Sequence, residues 1–123
     1  MTGRASARDL TPAVIRRTIE LAETPGPTGA EQARAAIVLR WWAEDGWAPH
    51  TDEVGNIWAQ VASGPGPGVL ACAHLDTVFP ADLPHQVTAT PGRLSGPSVG
   101  DDSVPGGLSA LADTIHRLRE ESA

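Results

Sequence analysis

The sequence predicts an α/β fold with a mixed sheet, in the order α-α-β-β-β-loop-α. Three observations carry this. Two segments near the start and one near the end repeat apolar residues at helical spacing. Short runs of strand length lie between them, broken by glycine and proline. One run, Val69-Leu70-Ala71-Cys72-Ala73, is continuously apolar, the pattern of a strand buried on both faces. Three strands make a thin sheet, and the last helix closes a βα unit with no strand after it. We therefore expect one partial domain over residues 1–123.

The first helix is expected to start at Thr11 as cap, with Pro12 at the first helical position, where a missing N–H costs nothing. Leu10, Val14, Ile15, Ile19 and Ala22 mark its apolar stripe, and Thr24-Pro25-Gly26-Pro27 ends it. The second helix is expected to begin with a capping box, Thr28-Gly29-Ala30-Glu31. Ala33, Ile37, Val38, Trp41 and Trp42 follow at helical spacing, and Gly46 supplies the stop. Strand-like runs at 48–54 and 57–62 flank Gly55-Asn56, a two-residue hairpin signal. The glycine- and proline-rich segment 63–68 is a loop. Residues 80–100 read as mostly loop, with a weak hairpin around 86–94. A last helix over about 104–120 would face inward with Leu108, Leu111, Ala112, Ile115 and Leu118.

Composition narrows the function classes. Thirteen glycines and eleven prolines are about a fifth of the chain, against a usual share of ~12%. Loops are therefore numerous. All nine basic residues are arginine, and fifteen acidic ones leave a net charge of −6. That balance argues against nucleic acid as a partner. No apolar run reaches the ~18–20 residues of a membrane span, and the first nine residues lack the apolar core of a secretory signal. The cytoplasm is the expected location. Cys72 is a lone cysteine, expected as a buried small hydrophobe. His50 and His85 are expected in solvent, His116 near the polar edge of the last helix, and the four tryptophans in the core.

Two clusters could carry chemistry. His74-Leu75-Asp76-Thr77-Val78 directly follows the apolar run, and Gly96-Pro97-Ser98-Val99-Gly100-Asp101-Asp102-Ser103 directly precedes the last helix. Open α/β sheets place ligand sites at such strand ends and helix starts. In an extended segment, residues i and i+2 share a side. Asp76 can then hold His74 in one tautomer, as a carboxylate does behind a metal-ligating histidine. Asp101 can add a hard oxygen ligand, and a carboxylate can bridge two metals. Each cluster also has a plain reading: a polar strand end for His74, and an N-cap with dipole-suited charges for Asp101-Asp102-Ser103.

Taken in order, Pro27-Thr28-Gly29-Ala30-Glu31, Asp52-Glu53-Val54-Gly55-Asn56-Ile57, Ala73-His74-Leu75-Asp76-Thr77-Val78-Phe79-Pro80 and Gly100-Asp101-Asp102-Ser103 resemble a known family. It is the di-zinc metallopeptidase and deacylase family of peptidase T, carboxypeptidase G, acetylornithine deacetylase, succinyl-diaminopimelate desuccinylase and aminoacylase. The resemblance covers about residues 10–119 and the N-terminal part of the catalytic domain. It implies that His74 ligates one zinc, that Asp76 is the catalytic carboxylate orienting it, and that Asp101 bridges both zincs. In the family the peptide bond after that aspartate is often cis. It also implies a peptide or N-acyl amino acid substrate. The family's Glu-Glu base pair, its later ligands and its dimerisation domain have no counterpart here; Glu120-Glu121 lies too early. Ser98 stands where relatives often carry glycine. The reading is a truncated zinc-dependent amide hydrolase, inert as this chain alone. The alternative is a non-catalytic remnant or assembly subunit that binds a complementary chain.

Overall fold

The computed structural model describes residues 7–61 and 63–99. Two helices, α1 (Ala7–Ala22) and α2 (Gln32–Glu44), are followed by two hairpins, β1 (His50–Thr51) with β2 (Ile57–Trp58), and β3 (Thr88–Thr90) with β4 (Arg93–Ser95). This is a mixed α/β arrangement. The expected last helix, with His116, lies outside the described residues, as do Asp101 and the bond after it.

Helix α1 begins before Thr11, so Pro12 sits inside it rather than at its first position. A proline there removes one intrahelical N–H. Helix α2 starts at Gln32 with Glu31 as N-cap and no side-chain cap. The expected capping box is therefore not formed. Instead 27–30 makes a turn, Ala30 N–H donating to Pro27 O at 2.8 Å, and the Glu31 carboxylate accepts from Gly29 N–H at 2.7 Å. The other end of α2 matches expectation. Gly46 takes φ +85, its N–H donates to Ala43 O, and Trp47 N–H donates to Trp42 O. That pair of bonds is a Schellman stop, which needs a residue free to adopt left-handed φ.

The core joins the end of α1 to the inner face of α2. Leu21, Val38 and Trp41 form its buried centre, with Ile37, Trp42, Ile57 and Leu75 packed against it. Arg17 of α1 donates to both oxygens of Asp45, at 3.0 and 3.3 Å, and its guanidinium lies 5.1 Å from the Trp41 ring centre. Trp47 is buried and meets Trp42 with ring centres 5.5 Å apart. Trp58 departs from the expected core role: it is about half exposed and stacks on His50 instead.

Both hairpins are antiparallel. In the first, His50 faces Trp58 and Thr51 faces Ile57. Its turn is not the two-residue Gly55-Asn56 but the longer Asp52–Asn56 loop, because Asp52 gathers it. One Asp52 oxygen accepts from the N–H of Val54 and of Asn56, and the other accepts from the Asn56 amide and the Trp58 indole. In the second hairpin Thr90 faces Arg93 across Pro91-Gly92.

The mixed sheet is not seen among the described residues. The sheets are two separate hairpins, and the one parallel pairing is an isolated bridge between Pro27 and Thr77. The run 69–73 is not a strand and is exposed throughout, with Val69 96% and Leu70 81% accessible. No described strand lies beside it, so its backbone has no ladder and its side chains no cover. Cys72 is accordingly exposed rather than buried. His85, expected in solvent, is buried, with its Nε2 3.0 Å from Pro80 O. No helix among the described residues is long and apolar enough to cross a membrane.

Candidate functional site

The segment 74–77 leaves the exposed run and docks against the loop between the helices. Thr77 is buried, and its N–H donates to Gly26 O at 2.8 Å. This bond and the Pro27–Thr77 bridge fix the segment's direction. His74 and Asp76 then face the same side, as the i, i+2 spacing implies. His74 Nδ1 lies 3.1 Å from Asp76 Oδ1 and 3.1 Å from Asp76 O. Nδ1 is thereby engaged, and Nε2 is the ring nitrogen open to a ligand. The His74 side chain is half exposed.

Asp76 has a second partner that sequence reasoning assigned elsewhere. The Thr28 hydroxyl donates to Asp76 Oδ2. Thr28 is not a helix cap; the 27–30 turn presents it to the carboxylate. The Thr28 hydroxyl is the main cause that holds the Asp76 carboxyl below its ordinary value; burial opposes it, and the His74 hydrogen bond adds a lesser lowering. Asp76 therefore favours its anionic form more than a free carboxyl does, with one oxygen on Thr28 and the other on His74.

The second expected cluster is described only to Val99. Ser98 is buried with φ +60, a left-handed conformation that explains why glycine suits this position. Asp101, two residues beyond Val99, lies outside the described residues. Among the described residues, no three histidine, cysteine or acidic side chains gather as a metal-binding group.

Arg34 is the other residue that sequence reasoning missed. It is fully buried in α2 and touches both site segments, accepting partners being Leu75 O and Ser98 Oγ. A signal was present: positions 34, 38 and 41 form one helical stripe, and Arg34 is the charged member of an otherwise apolar face.

Against known proteins, the chain is 38% identical over 117 residues to [LysW]-lysine hydrolase from Deinococcus radiodurans. The match covers 95% of this chain and 29% of the relative, so the chain spans under a third of that protein's length. No protein-family model matches, and no solved structure matches.

Proposed function

We propose that this chain supplies the first part of a zinc-dependent hydrolase acting on a peptide or N-acyl amide bond. The observation that carries the reading is the pairing of His74 with Asp76 in a chain that matches a hydrolase over 95% of its length. The engaged Nδ1 and open Nε2 fit a zinc ligand with its orienting carboxylate. His74 takes the role of terminal ligand, Asp76 that of the catalytic carboxylate which orients it, and Asp101 that of the bridge. A zinc held by His74 and Asp101 would supply polarisation of the scissile carbonyl and a lowered pKa for the attacking water. The chain's own contribution is to hold the His74 ring in one tautomer and to keep a negative charge behind it. The reading assigns no general base within this sequence, since its one Glu-Glu pair, Glu120-Glu121, comes too early in the chain. Assayed alone, the chain should bind zinc weakly and cleave no N-acyl amino acid or dipeptide above the protein-free rate. His74→Ala should remove the zinc binding that remains, read by calorimetry. Robust zinc-dependent hydrolysis by the purified chain would sink the inactivity, and unchanged zinc affinity in His74→Ala would sink the ligand assignment.

A second reading, a non-catalytic subunit that binds a complementary chain, is favoured by the exposed run 69–73. Its occupant would be a chain that adds a strand there and brings a Glu-Glu pair and a late histidine. Val69→Thr with Leu70→Thr should then keep the thermal midpoint of the isolated chain while reducing its self-association in sedimentation. Equal self-association in both forms would argue that the run is not a pairing edge.

A further inference from the structure

Arg34 lies on the buried stripe of α2 with Val38 and Trp41, and is 0% exposed. A guanidinium in such a place must satisfy its N–H groups within the protein. Nε donates to Thr24 O at 2.8 Å, one Nη to Leu75 O at 3.1 Å, and the other to Ser98 Oγ at 3.1 Å. These three acceptors belong to three segments: the turn after α1, the His74–Asp76 segment, and the turn after β4. The acceptor at 75 is the carbonyl between the two site side chains.

Two neighbours are shaped around this side chain. A Cβ on Gly26 would lie 2.4 Å from Arg34 Cδ and 2.6 Å from Nε, so glycine is what leaves the stem room. Ser98 keeps a left-handed backbone, which a non-glycine residue holds only when its surroundings enforce it. Its hydroxyl accepts from Arg34 and makes a long contact, 3.5 Å, to Ala22 O.

We propose that Arg34 is a positioning residue whose fork fixes the His74–Asp76 backbone against the turn 96–99, and so sets how the His74 ring is presented to a metal ion. The proposal rests on the zinc-hydrolase reading above. Arg34 touches no reacting atom; it acts through Leu75 and Ser98. Lysine would keep the charge but not the planar fork that reaches several acceptors at once.

The test uses the whole 123-residue chain with Co²⁺ as the probe, read by visible absorption, and amide exchange of Thr77 as a metal-free readout. Arg34→Lys and Ser98→Gly are the variants. Ser98→Gly relaxes the left-handed backbone, so a purely conformational role for Ser98 predicts no loss. We expect both variants to keep the helical circular dichroism, to lose about tenfold or more in Co²⁺ affinity, and to shift the Co²⁺ spectrum. Thr77 exchange should be faster in both. Parental Co²⁺ affinity and spectrum in a folded variant overturn the proposal, whatever Thr77 does. If the parent chain binds no Co²⁺, the zinc reading fails, and Thr77 decides the loop lock: faster exchange in Ser98→Gly supports it and unchanged exchange overturns it. If Arg34→Lys does not fold, Ser98→Gly alone decides.

Discussion

At Asp76 one carboxylate is divided between two donors, Thr28 on Oδ2 and His74 on Oδ1. The arrangement predicts an asymmetry between two substitutions. Thr28→Ser keeps the hydroxyl and should leave Asp76 as it is. Thr28→Val removes the largest cause of the lowered Asp76 pKa, so the carboxyl should titrate closer to its ordinary value. The stability loss should be small, about 0.5 kcal/mol, because the bond is exposed. Carboxyl-carbon NMR through acid titration reads the first effect; an unmoved Asp76 in Thr28→Val would show that Thr28 is not what lowers it. The legibility of this site differs residue by residue. His74 and Asp76 could be paired from sequence because i, i+2 geometry is local. Thr28 could not, because its partner is 48 positions away and its sequence context matches a helix cap equally well. Arg34 was visible only as a charge on an apolar stripe, and its three acceptors become adjacent only on folding.

Among the elements, the first hairpin depends on one side chain. Asp52 accepts four hydrogen bonds across its own turn. The Asn56 amide first, and then the Trp58 indole, lower its pKa from 3.8 to about 2. Because the folded value lies below the unfolded one, the ionised Asp52 stabilises the turn at all pH above 3.8, and this contribution fades as pH falls towards 2. The Trp58 indole N–H resonance should therefore hold its position down to about pH 3 and move with a midpoint near 2. In Asp52→Asn that acid transition should vanish. A midpoint near 4 would mean that the turn does not grip the carboxylate. Element by element, the helices and the Gly46 stop were readable because period and glycine chemistry are local signals. The ends were less so: α1 runs back past Pro12, and the Asp52 turn replaces the two-residue turn because an aspartate can satisfy several loop N–H groups at once.

For the whole molecule, the sequence pattern at 69–73 specified a strand but could not specify its neighbours. Hydrophobicity says that a segment is to be covered, and only tertiary structure says by what. Among the described residues nothing covers it, while the core is confined to the helix pair and the few residues packed on it. This distribution has a consequence in time. Contacts within the helix pair close short loops; Arg17 and Asp45 are 28 positions apart. Those that lock the site close long ones, 48 for Thr28–Asp76 and 64 for Arg34–Ser98. Chain entropy makes the distant closures late. The helix pair should form in the rate-limiting step and the site only afterwards. Val38→Ala should then slow refolding, whereas Ser98→Ala should mainly hasten unfolding, as stopped-flow tryptophan fluorescence would separate. The reverse pattern would place the site in the folding nucleus. If the order holds, the chain spends part of each folding event as a formed helix pair whose His74 segment has not yet found its dock.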